Sequence, residues 1–488
     1  MLTDFEPVIG LEVHAELHTQ SKMFCGCAVV DSTSAEPNSA VCEVCTGMPG
    51  TLPVINQRAV EFALRVALAL GCQVAETSVF ARKNYFYPDL PKGFQISQYE
   101  LPLASDGALE FDVDGQIRSA RVRRVHLEED TGKLIHGPGY SLIDYNRSGV
   151  PLLEIVSEPD LRSVAEAKGY AIGLRSVLRY LDVTSGDMDK GAIRFEANVS
   201  VRRRGLSEFG VRTEIKNLNS FRAMLRALEY EIERQSGVLA AGGSVIQETL
   251  GWDESRSVTV SQRGKEEAHD YRYFPEPDLP PLVISPAELE RIGAMQPELP
   301  LARRERFARD LALTPYTANI LTSEKEVADY FEEAVKVAPA LPPSRIANWL
   351  TGDLFGLLNE IGASIHDTKV SPGSLTELVS LVEGGEINQS TGKMLLAEMV
   401  RQGGSPREIV QTRDLSQLTD ETAIEPLVDR VFLDNPDQVE LYLGGKTTVS
   451  QWLFGQVMKA AGGKAHPPTV QQILLARLAA LEAQRRKS

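Results

Sequence analysis

Acidic and imidazole side chains alternate with apolar ones in a short segment near the N-terminus, residues 8–18. The side chains that can ionise follow one another at every second position: Glu12, His14, Glu16 and His18. The residues interleaved with them are apolar: Ile9, Leu11, Val13, Ala15 and Leu17. This period of two predicts a strand with one face on a core and the other in a polar cleft. Same-face neighbours lie roughly 6–7 Å apart, so adjacent strands could complete a binding site for one ion. The alternative interpretation is a solvated sheet edge.

Four later segments repeat the alternation, and each brings a carboxylate to the polar side of a predicted strand. In residues 124–130, His126 and Glu128 share a face with Asp130. Glu154 stands alone in the apolar run 152–156, where an acid is costly unless it is paired, hydrogen-bonded or bound to a metal. The polar positions of segments 193–202 and 211–218 are Arg194, Glu196, Asn198, Ser200, Arg202, Arg212, Glu214 and Lys216. We expect antiparallel strands to bring these groups together in one cleft.

The predicted cleft favours a hard divalent cation. Carboxylate oxygens with one histidine suit Mg²⁺ or Mn²⁺, and interleaved arginine and lysine suit phosphates bound to such an ion. The sequence contains no Walker A motif, no GxGxxG after a strand, no HExxH and no GxSxG. If the chain binds a nucleotide, it therefore uses an uncommon nucleotide-binding fold.

Four of the five cysteines form a CxC and a CxxC pair: Cys25, Cys27, Cys42 and Cys45. In a cytosolic protein, two close pairs predict tetrahedral thiolate zinc rather than disulfides. Four thiolates fill the coordination shell, so we expect a closed structural site. The alternative is a set of reduced, buried thiols.

The segment 82–98 is rich in aromatic, basic, amide and proline residues. That mixture is typical of a rigid loop that presents hydrogen-bond donors and stacking faces to a ligand. Lys83, Lys92 and Gln95 are candidates for contacts with phosphate or carbonyl groups. A purely structural loop is the competing interpretation.

Composition indicates an ordinary soluble globular protein of 488 residues, with 43% hydrophobic and 24% charged residues. No apolar run approaches the roughly 18 residues that a membrane span needs. The first six residues contain neither a basic nor an apolar segment, so we expect no secretory signal and a cytoplasmic location. The net charge of -16 argues against nonspecific coating of nucleic acid but allows a local basic patch.

The C-terminal part of the sequence is predicted to be helical, after a proline-rich break at residues 275–281. Helical spacing marks the segments 300–307, 325–337 and 345–361, another after a cap at Ser374, and a further one around Lys393. From Gly445 onward, seven basic residues face one acid, Glu482, which gives +6. The basic residues are Lys446, Lys459, Lys464, Arg477, Arg485, Arg486 and Lys487. This patch could bind the phosphates of a nucleic acid, or it could be a solvated helix with a frayed basic end.

Several longer motifs resemble one family. They are VIGLEVH (8–14), RKNYFYPD (82–89), HLEED (126–130), DYNRSGVPLLEIVSEPD (144–160), EIKNLNS (214–220) and DYRYFPEPD (270–278). In order and spacing they resemble the B subunit of the bacterial and organellar aspartyl/glutamyl-tRNA amidotransferase, over essentially the whole chain.

The resemblance implies a reaction and a set of partners. Such B subunits work with an amidase, the A subunit, and with a small C subunit on tRNA misacylated with glutamate or aspartate. ATP phosphorylates the side-chain carboxylate, and ammonia from the amidase displaces the phosphate to give glutaminyl- or asparaginyl-tRNA. The tail of these B subunits binds the tRNA elbow.

The resemblance also implies site residues. The family's Mg²⁺ cleft maps to Glu12, His14, Glu128, Glu154 and Glu196, which we expect to be the catalytic residues. Glu129 is the alternative to Glu128, and strand alternation favours Glu128 because it shares a face with His126. We expect the cofactor-binding residues to include Lys83, Tyr85, Arg194 and Asn198. Family members differ at the cysteine set, so zinc would be structural here.

The expected fold class is α+β. We predict a largely antiparallel β cradle domain with flanking helices over residues 1–290, a helical domain over 291–408 and a helical, tRNA-binding tail over 409–488. A second hypothesis is a noncatalytic tRNA-binding scaffold whose carboxylates hold a structural cation. A scaffold would need neither Glu154 in its apolar run nor five strands that bring acids to one cleft, so the enzyme is favoured.

Overall fold

A computed structural model describes residues 4–264, 271–415, 417, 421–462 and 464–485. The chain divides at residue 303 into two compact units. The first unit contains the strands β1 (Phe5–Glu16), β2 (Gln73–Val74), β3 (Thr77–Ser78), β4 (Ala81–Asn84), β5 (Phe94–Ser97), β6 (Ala104–Val113), β7 (Gln116–Glu129), β8 (Lys133–Gly137), β9 (Tyr140–Asp144), β10 (Pro151–Ser157), β11 (Ile193–Arg203), β12 (Thr213–Leu218), β13 (Glu248–Asp253), β14 (Val258–Gly264), β15 (Phe274–Pro275) and β16 (Leu282–Val283).

The described part of the first unit is built on a nine-stranded sheet in the order β14-β13-β12-β11-β1-β10-β7-β6-β2. Its pairs are antiparallel apart from β12 and β13, which run parallel. Strand β1 lies in the middle, between β10 and β11, with its apolar side chains in the core and its polar ones on the other face. Ile9, Val13 and Ala15 have no exposed surface.

Helices cover the apolar face of this sheet. They are α1 (Gln57–Ala69), α2 (Val164–Tyr180), α3 (Phe221–Ala240) and α4 (Pro286–Ala294). Asn56, Ser163 and Ser220 cap the first three by accepting hydrogen bonds from backbone N–H groups of the first turn. Helix α1 packs on β7, α2 on β6 and α3 on β11, while α4 packs on α1. The helices therefore leave the opposite face of the central strands available for polar side chains.

The segment 82–98, predicted to be a loop, is partly regular. Strands β4 and β5 form a hairpin across it, and β15 adds a third strand beside β4. Only the residues between the two hairpin strands form a loop, so the loop prediction is wrong at both ends. In that loop the N–H of Gly93 donates to the carbonyl of Leu90, and Gly93 has a φ of 75°, which glycine adopts without strain. This turn brings β5 back beside β4.

The described residues after α4 are mostly helical. Their helices are α5 (Pro300–Asp310), α6 (Pro315–Leu321), α7 (Lys325–Val337), α8 (Pro343–Asn348), α9 (Phe355–Glu360), α10 (Pro372–Glu383), α11 (Gln389–Gln402), α12 (Pro406–Thr412), α13 (Glu421–Asp434), α14 (Pro436–Leu443), α15 (Val449–Ala460) and α16 (Pro467–Arg485). Two separate hydrophobic clusters stabilise this part, one that includes Phe331 and Leu378 and another that includes Leu453 and Leu474.

The single helix predicted over 345–361 is continuous from Pro343 to Glu360, with a π-helical segment, Trp349–Leu354, between α8 and α9. One helix prediction needs correction. The cap predicted at Ser374 is instead Ser371, whose side chain accepts a hydrogen bond from the N–H of Ser374, with Pro372 in the first turn. The helix predicted over 325–337 has those bounds.

The predicted fold class, α+β with an antiparallel N-terminal cradle followed by helical regions, is confirmed. The division into domains at residues 290 and 408 stays a prediction. Predictions that involve Asp270, Arg486 and Lys487 fall outside the described residues. Among the described helices, none combines the length and apolar character needed to cross a membrane.

Candidate active site

A cluster of one imidazole and three carboxylates lies on the polar face of the central strands. The Nε2 atom of His14 lies 3.4 Å from Oε2 of Glu154, 3.6 Å from Oε1 of Glu128 and 3.7 Å from Oε1 of Glu12. The register explains this proximity, since His14 on β1 pairs with Glu154 on β10. Three neighbouring strands thus bring four of the five predicted cleft residues together.

Glu154 is almost fully enclosed, with 4% of the residue exposed. Nε2 of His126 lies 3.3 Å from Oε2 of Glu154, and a guanidinium nitrogen of Arg124 lies 3.4 Å from Oε1. The lone acid in an apolar run is therefore paired on three sides when His14 is included. In this cluster, the described residues form two sets that could each hold a cation: Glu12, His14 and Glu154, and His126, Glu128 and Glu154.

Glu196, the fifth predicted cleft residue, lies next to Glu12 in the ladder between β1 and β11. Its carboxylate accepts a 2.6 Å hydrogen bond from Nζ of Lys216. Glu196 belongs to neither of the two sets formed by the described residues. The charge of Glu196 acts on His14 in the cluster, but one of its carboxylate oxygens already accepts a hydrogen bond from Lys216.

The structure distinguishes Glu128 from Glu129. Glu128 faces His14, and its other oxygen accepts a hydrogen bond of 3.3 Å from the hydroxyl of Ser97. Glu129 turns to the opposite side, where it pairs with Lys92 and accepts the N–H of Ile96 at 2.9 Å. The alternation of β7 places the two carboxylates on different faces, as the sequence pattern predicts.

Lys83 and Tyr85 lie in and just after β4, close to the cluster. The ammonium of Lys83 lies 5.1 Å from the ring centre of Tyr271 and 6.0 Å from that of Tyr85. Burial alone would lower the pKa of Lys83, but the surrounding groups, among which the carboxylate of Glu128 contributes most, together outweigh it and the pKa is raised. Lys83 therefore stays charged beside the carboxylates, within a partly aromatic wall.

Arg194 and Asn198, the other predicted cofactor-binding residues, lie on β11. Arg194 pairs with His14 in the ladder, but its guanidinium donates a 2.7 Å hydrogen bond to Asp130. Asn198 pairs with Gly10 and, on its other side, with Glu214. These two residues flank the cluster and do not contribute to the two possible ligand sets.

Mutual repulsion and burial shift the protonation of the cluster. Burial, together with the charge of Glu154, raises the pKa of Glu12 to about 7. Burial would lower the pKa of His14, but its contact with Glu154 and the charge of Glu128 raise it to about 9. Burial also disfavours charge on Glu154, yet His126 and His14 overcome it and lower that pKa. Without a cation, the cluster therefore retains protons near neutral pH.

The predicted catalytic and cofactor-binding residues do not include His126, Arg124 or Lys216, although the strand alternation places His126 and Lys216 on the polar face. His126 could have been included, since it shares its strand face with Glu128. The roles of Arg124 and Lys216 depend on which strands become neighbours, and a single sequence does not give that order. Burial and the charge of Asp130 raise the pKa of Glu16 to about 8, and this proximity likewise depends on strand order.

The four paired cysteines form a second group of potential ligands. Their sulfur atoms all lie within 4.8 Å of one another, and Sγ of Cys42 lies 3.9 Å from Sγ of Cys45. The thiols are free. Lys22, which has no exposed surface, places its ammonium 3.6 Å from Sγ of Cys45 and donates a 3.1 Å hydrogen bond to the carbonyl of Tyr145. The arrangement could hold a metal such as zinc.

The fold and the polar cluster define the general class: an α+β domain with a potential cation site on a large, mostly antiparallel sheet. Residues 7–290 match the family model described as the GatB/GatE catalytic domain, and residues 329–478 match the GatB domain.

Similar proteins extend this match to almost the whole chain. The chain is 50% identical to a protein of Carboxydothermus hydrogenoformans over 98% of this chain and 100% of the relative. It is 53% identical to a protein of Moorella thermoacetica over 97% of this chain and 100% of that relative. It is 52% identical to a protein of Thermomicrobium roseum over 96% of this chain and 98% of that relative. Each is named as the B subunit of aspartyl/glutamyl-tRNA(Asn/Gln) amidotransferase. The chain belongs to this family of amidotransferase B subunits, which confirms the predicted resemblance and the predicted enzyme class.

The shifted pKa values predict that cation binding depends on pH. Because a cation competes with the protons on Glu12 and His14, affinity should rise as pH increases from about 6 to about 9. Near neutral pH, binding should release between about one and two protons. Calorimetric titration of the chain with Mn²⁺, in two buffers of different ionisation enthalpy, measures both quantities. An affinity that is flat or falls over this range would contradict the prediction.

Proposed function

We propose that this chain carries the ATP-dependent step of a tRNA amidotransferase. A side-chain oxygen of glutamate or aspartate, esterified to tRNA(Gln) or tRNA(Asn), attacks the γ-phosphorus of ATP, and ADP leaves. Ammonia then attacks the acyl carbon, the phosphate leaves and a proton is lost from nitrogen. The products are Gln-tRNA(Gln) or Asn-tRNA(Asn) and inorganic phosphate.

The cluster of Glu12, His14, Glu128 and Glu154 is the observation that carries this proposal. Converging carboxylates are costly to bury unless a cation compensates them, and the family description of this domain is catalytic. A carboxylate is a poor acyl donor because its leaving group would be oxide. Phosphorylation replaces oxide by phosphate, so an ATP site with a hard cation is what the reaction needs.

The donor set fits Mg²⁺. Glu12, His14 and Glu154, which form one of the two possible ligand sets, would hold it together with Glu128, 3.6 Å from His14, and Glu196 would add charge from the neighbouring ladder position. When bound, Mg²⁺ would neutralise the triphosphate and orient it for in-line attack. The half-buried Lys83 is placed to attract phosphate oxygens with its ammonium. Tyr85, Arg194 and Asn198 surround the same face and would position the nucleotide or the acyl group.

Membership of a family of B subunits supports the proposal that this chain works in a complex with other subunits. We assign the supply of ammonia to an amidase, the A subunit, with a small C subunit in the same complex. This chain then contributes activation of the carboxylate and binding of the tRNA.

Glu12→Gln tests the proposed phosphoryl transfer. The change keeps the shape of the side chain but removes a ligand charge, so tRNA-dependent release of ADP should fall by at least about a hundredfold. Binding of tRNA and glutamine hydrolysis by the partner should persist. The assay uses the assembled complex with Glu-tRNA, ATP and Mg²⁺.

Glu110→Gln is the matched control, because Glu110 is an exposed glutamate of the same sheet on β6. It should behave as the wild type. Unimpaired ADP release by Glu12→Gln would place the chemistry elsewhere and favour a structural role for β1.

We also propose that the cysteine group binds a structural zinc ion. The wild-type chain should contain about one zinc per chain, and Cys27→Ser should lose it and lower the melting temperature. Cys72→Ala is the control, because Cys72 is buried and does not belong to the group. Metal analysis by mass spectrometry, with thermal unfolding, gives both readouts. Zinc retained in Cys27→Ser, or absent from the wild type, would exclude the site.

The tail is proposed to contact tRNA through fewer residues than its composition indicates. Lys464 pairs with Asp414, Arg477 with Glu425 and Asp429, and Arg485 with Glu440. The exposed lysines Lys446 and Lys459, at either end of α15, are better placed to meet phosphates.

Replacing Lys446 and Lys459 together by Gln should weaken tRNA binding and reduce the slope of log affinity against log salt by about two. The same change at Lys325 and Lys336, both on α7, is the matched control. Filter binding across a salt series measures the slope. An unchanged slope would show that the tail lysines do not contact tRNA phosphates.

A further inference from the structure

We propose that His126 is a positioning residue of the cation cleft. Its Nε2–H group holds the carboxylate of Glu154 in the orientation that cation binding requires. The proposal rests on the proposed function, because that function places the cation on Glu154. His126 itself is not proposed as a ligand.

The sheet fixes the geometry of this contact. His126 on β7 pairs with Glu154 on β10, which in turn pairs with His14 on β1. Both imidazoles approach the same oxygen, Oε2, with Nε2 of His126 at 3.3 Å and Nε2 of His14 at 3.4 Å. His14 approaches this oxygen from the cleft side. His126 approaches it from the enclosed side, since His126 is only 2% exposed.

The two imidazoles cannot play the same part when a cation is bound. A histidine that ligates through Nε2 offers the lone pair of that atom and cannot donate a proton through it. If His14 is the ligand, the donors left to Glu154 are His126 and Arg124, which is 3.4 Å from Oε1. An imidazole or guanidinium that hydrogen-bonds a ligating carboxylate fixes its orientation and commonly tunes metal affinity.

Packing alone does not explain an imidazole at this position. Its second nitrogen, Nδ1, is buried and has no hydrogen-bond partner among the described residues. Burying a polar atom without a partner is unfavourable, and a leucine would fill a similar space without that penalty. The contact between Nε2 and Glu154 is therefore the interaction that accounts for the imidazole.

Binding of Mn²⁺ tests the proposal independently of activity. The complex with its partner subunits is titrated with Mn²⁺, and free Mn²⁺ is measured by electron paramagnetic resonance. His126→Leu should raise the dissociation constant by about ten- to a hundredfold. His126→Gln, whose amide can donate from a similar position, should recover most of that loss. Val125→Ala creates a cavity on the opposite, apolar face of β7. It should leave the dissociation constant within about twofold of the wild-type value.

Spin-echo spectroscopy separates positioning from ligation. A nitrogen coupling from one imidazole should persist in His126→Leu at saturating Mn²⁺ and disappear in His14→Gln. Loss of the coupling in His126→Leu would make His126 a ligand and overturn the proposal. An unchanged dissociation constant in His126→Leu, or no recovery in His126→Gln, would also overturn it.

The same titration distinguishes failure of the underlying function. Glu12→Gln serves as the reference for loss of the cleft site. If the wild type binds Mn²⁺ no better than Glu12→Gln, the cation cleft itself is refuted together with the role of His126. If the wild type binds and only His126→Leu is unaffected, the cleft stands and the positioning role alone fails.

Discussion

The antiparallel register of three strands is the constraint on which the site depends. His14, Glu154 and His126 occupy paired positions on β1, β10 and β7, so they form one row across the sheet. A shift of one residue in any strand would turn its member of the row into the apolar core. The apolar residues between them, such as Val13 and Ile155, are fully buried and resist that shift. The hydrophobic face of the sheet therefore sets the position of the polar one.

The same row also resolves an electrostatic difficulty. Buried carboxylates that repel one another would normally be neutralised by protonation. Here, compensation is uneven: Glu154 has imidazoles on one oxygen and Arg124 on the other, and its pKa is lowered, whereas the pKa of Glu12 is raised. One carboxylate is held charged and another can exchange a proton for a cation.

Periodicity made much of this predictable from sequence. The alternation in β1, β7, β10 and β11 identified the polar face, including the choice between Glu128 and Glu129. Strand order could not be predicted, so the partners of Glu196 and Arg194 were missed: Lys216 comes from β12, and Asp130 directly follows β7. In the tail, the charge count of the segment alone does not include acids that pair with it from elsewhere in the chain. Asp414, Glu425 and Glu440 lie outside the basic segment in sequence but pair with it in space.

The cysteine group and the carboxylate cluster differ in how the fold positions them, and hydrogen bonds through one turn connect the two. The thiols come from one polar loop that has little core of its own, whereas the carboxylates come from a rigid sheet. The turn 145–150 joins them: Ser148 donates to the carbonyl of Cys45, and the N–H of Gly149 donates to the carbonyl of Asp130, directly after β7. Lys22 adds a link from Cys45 to Tyr145 in the same turn. Because this turn leads directly into β10, a metal that orders the cysteine loop would also stabilise the start of the strand that carries Glu154.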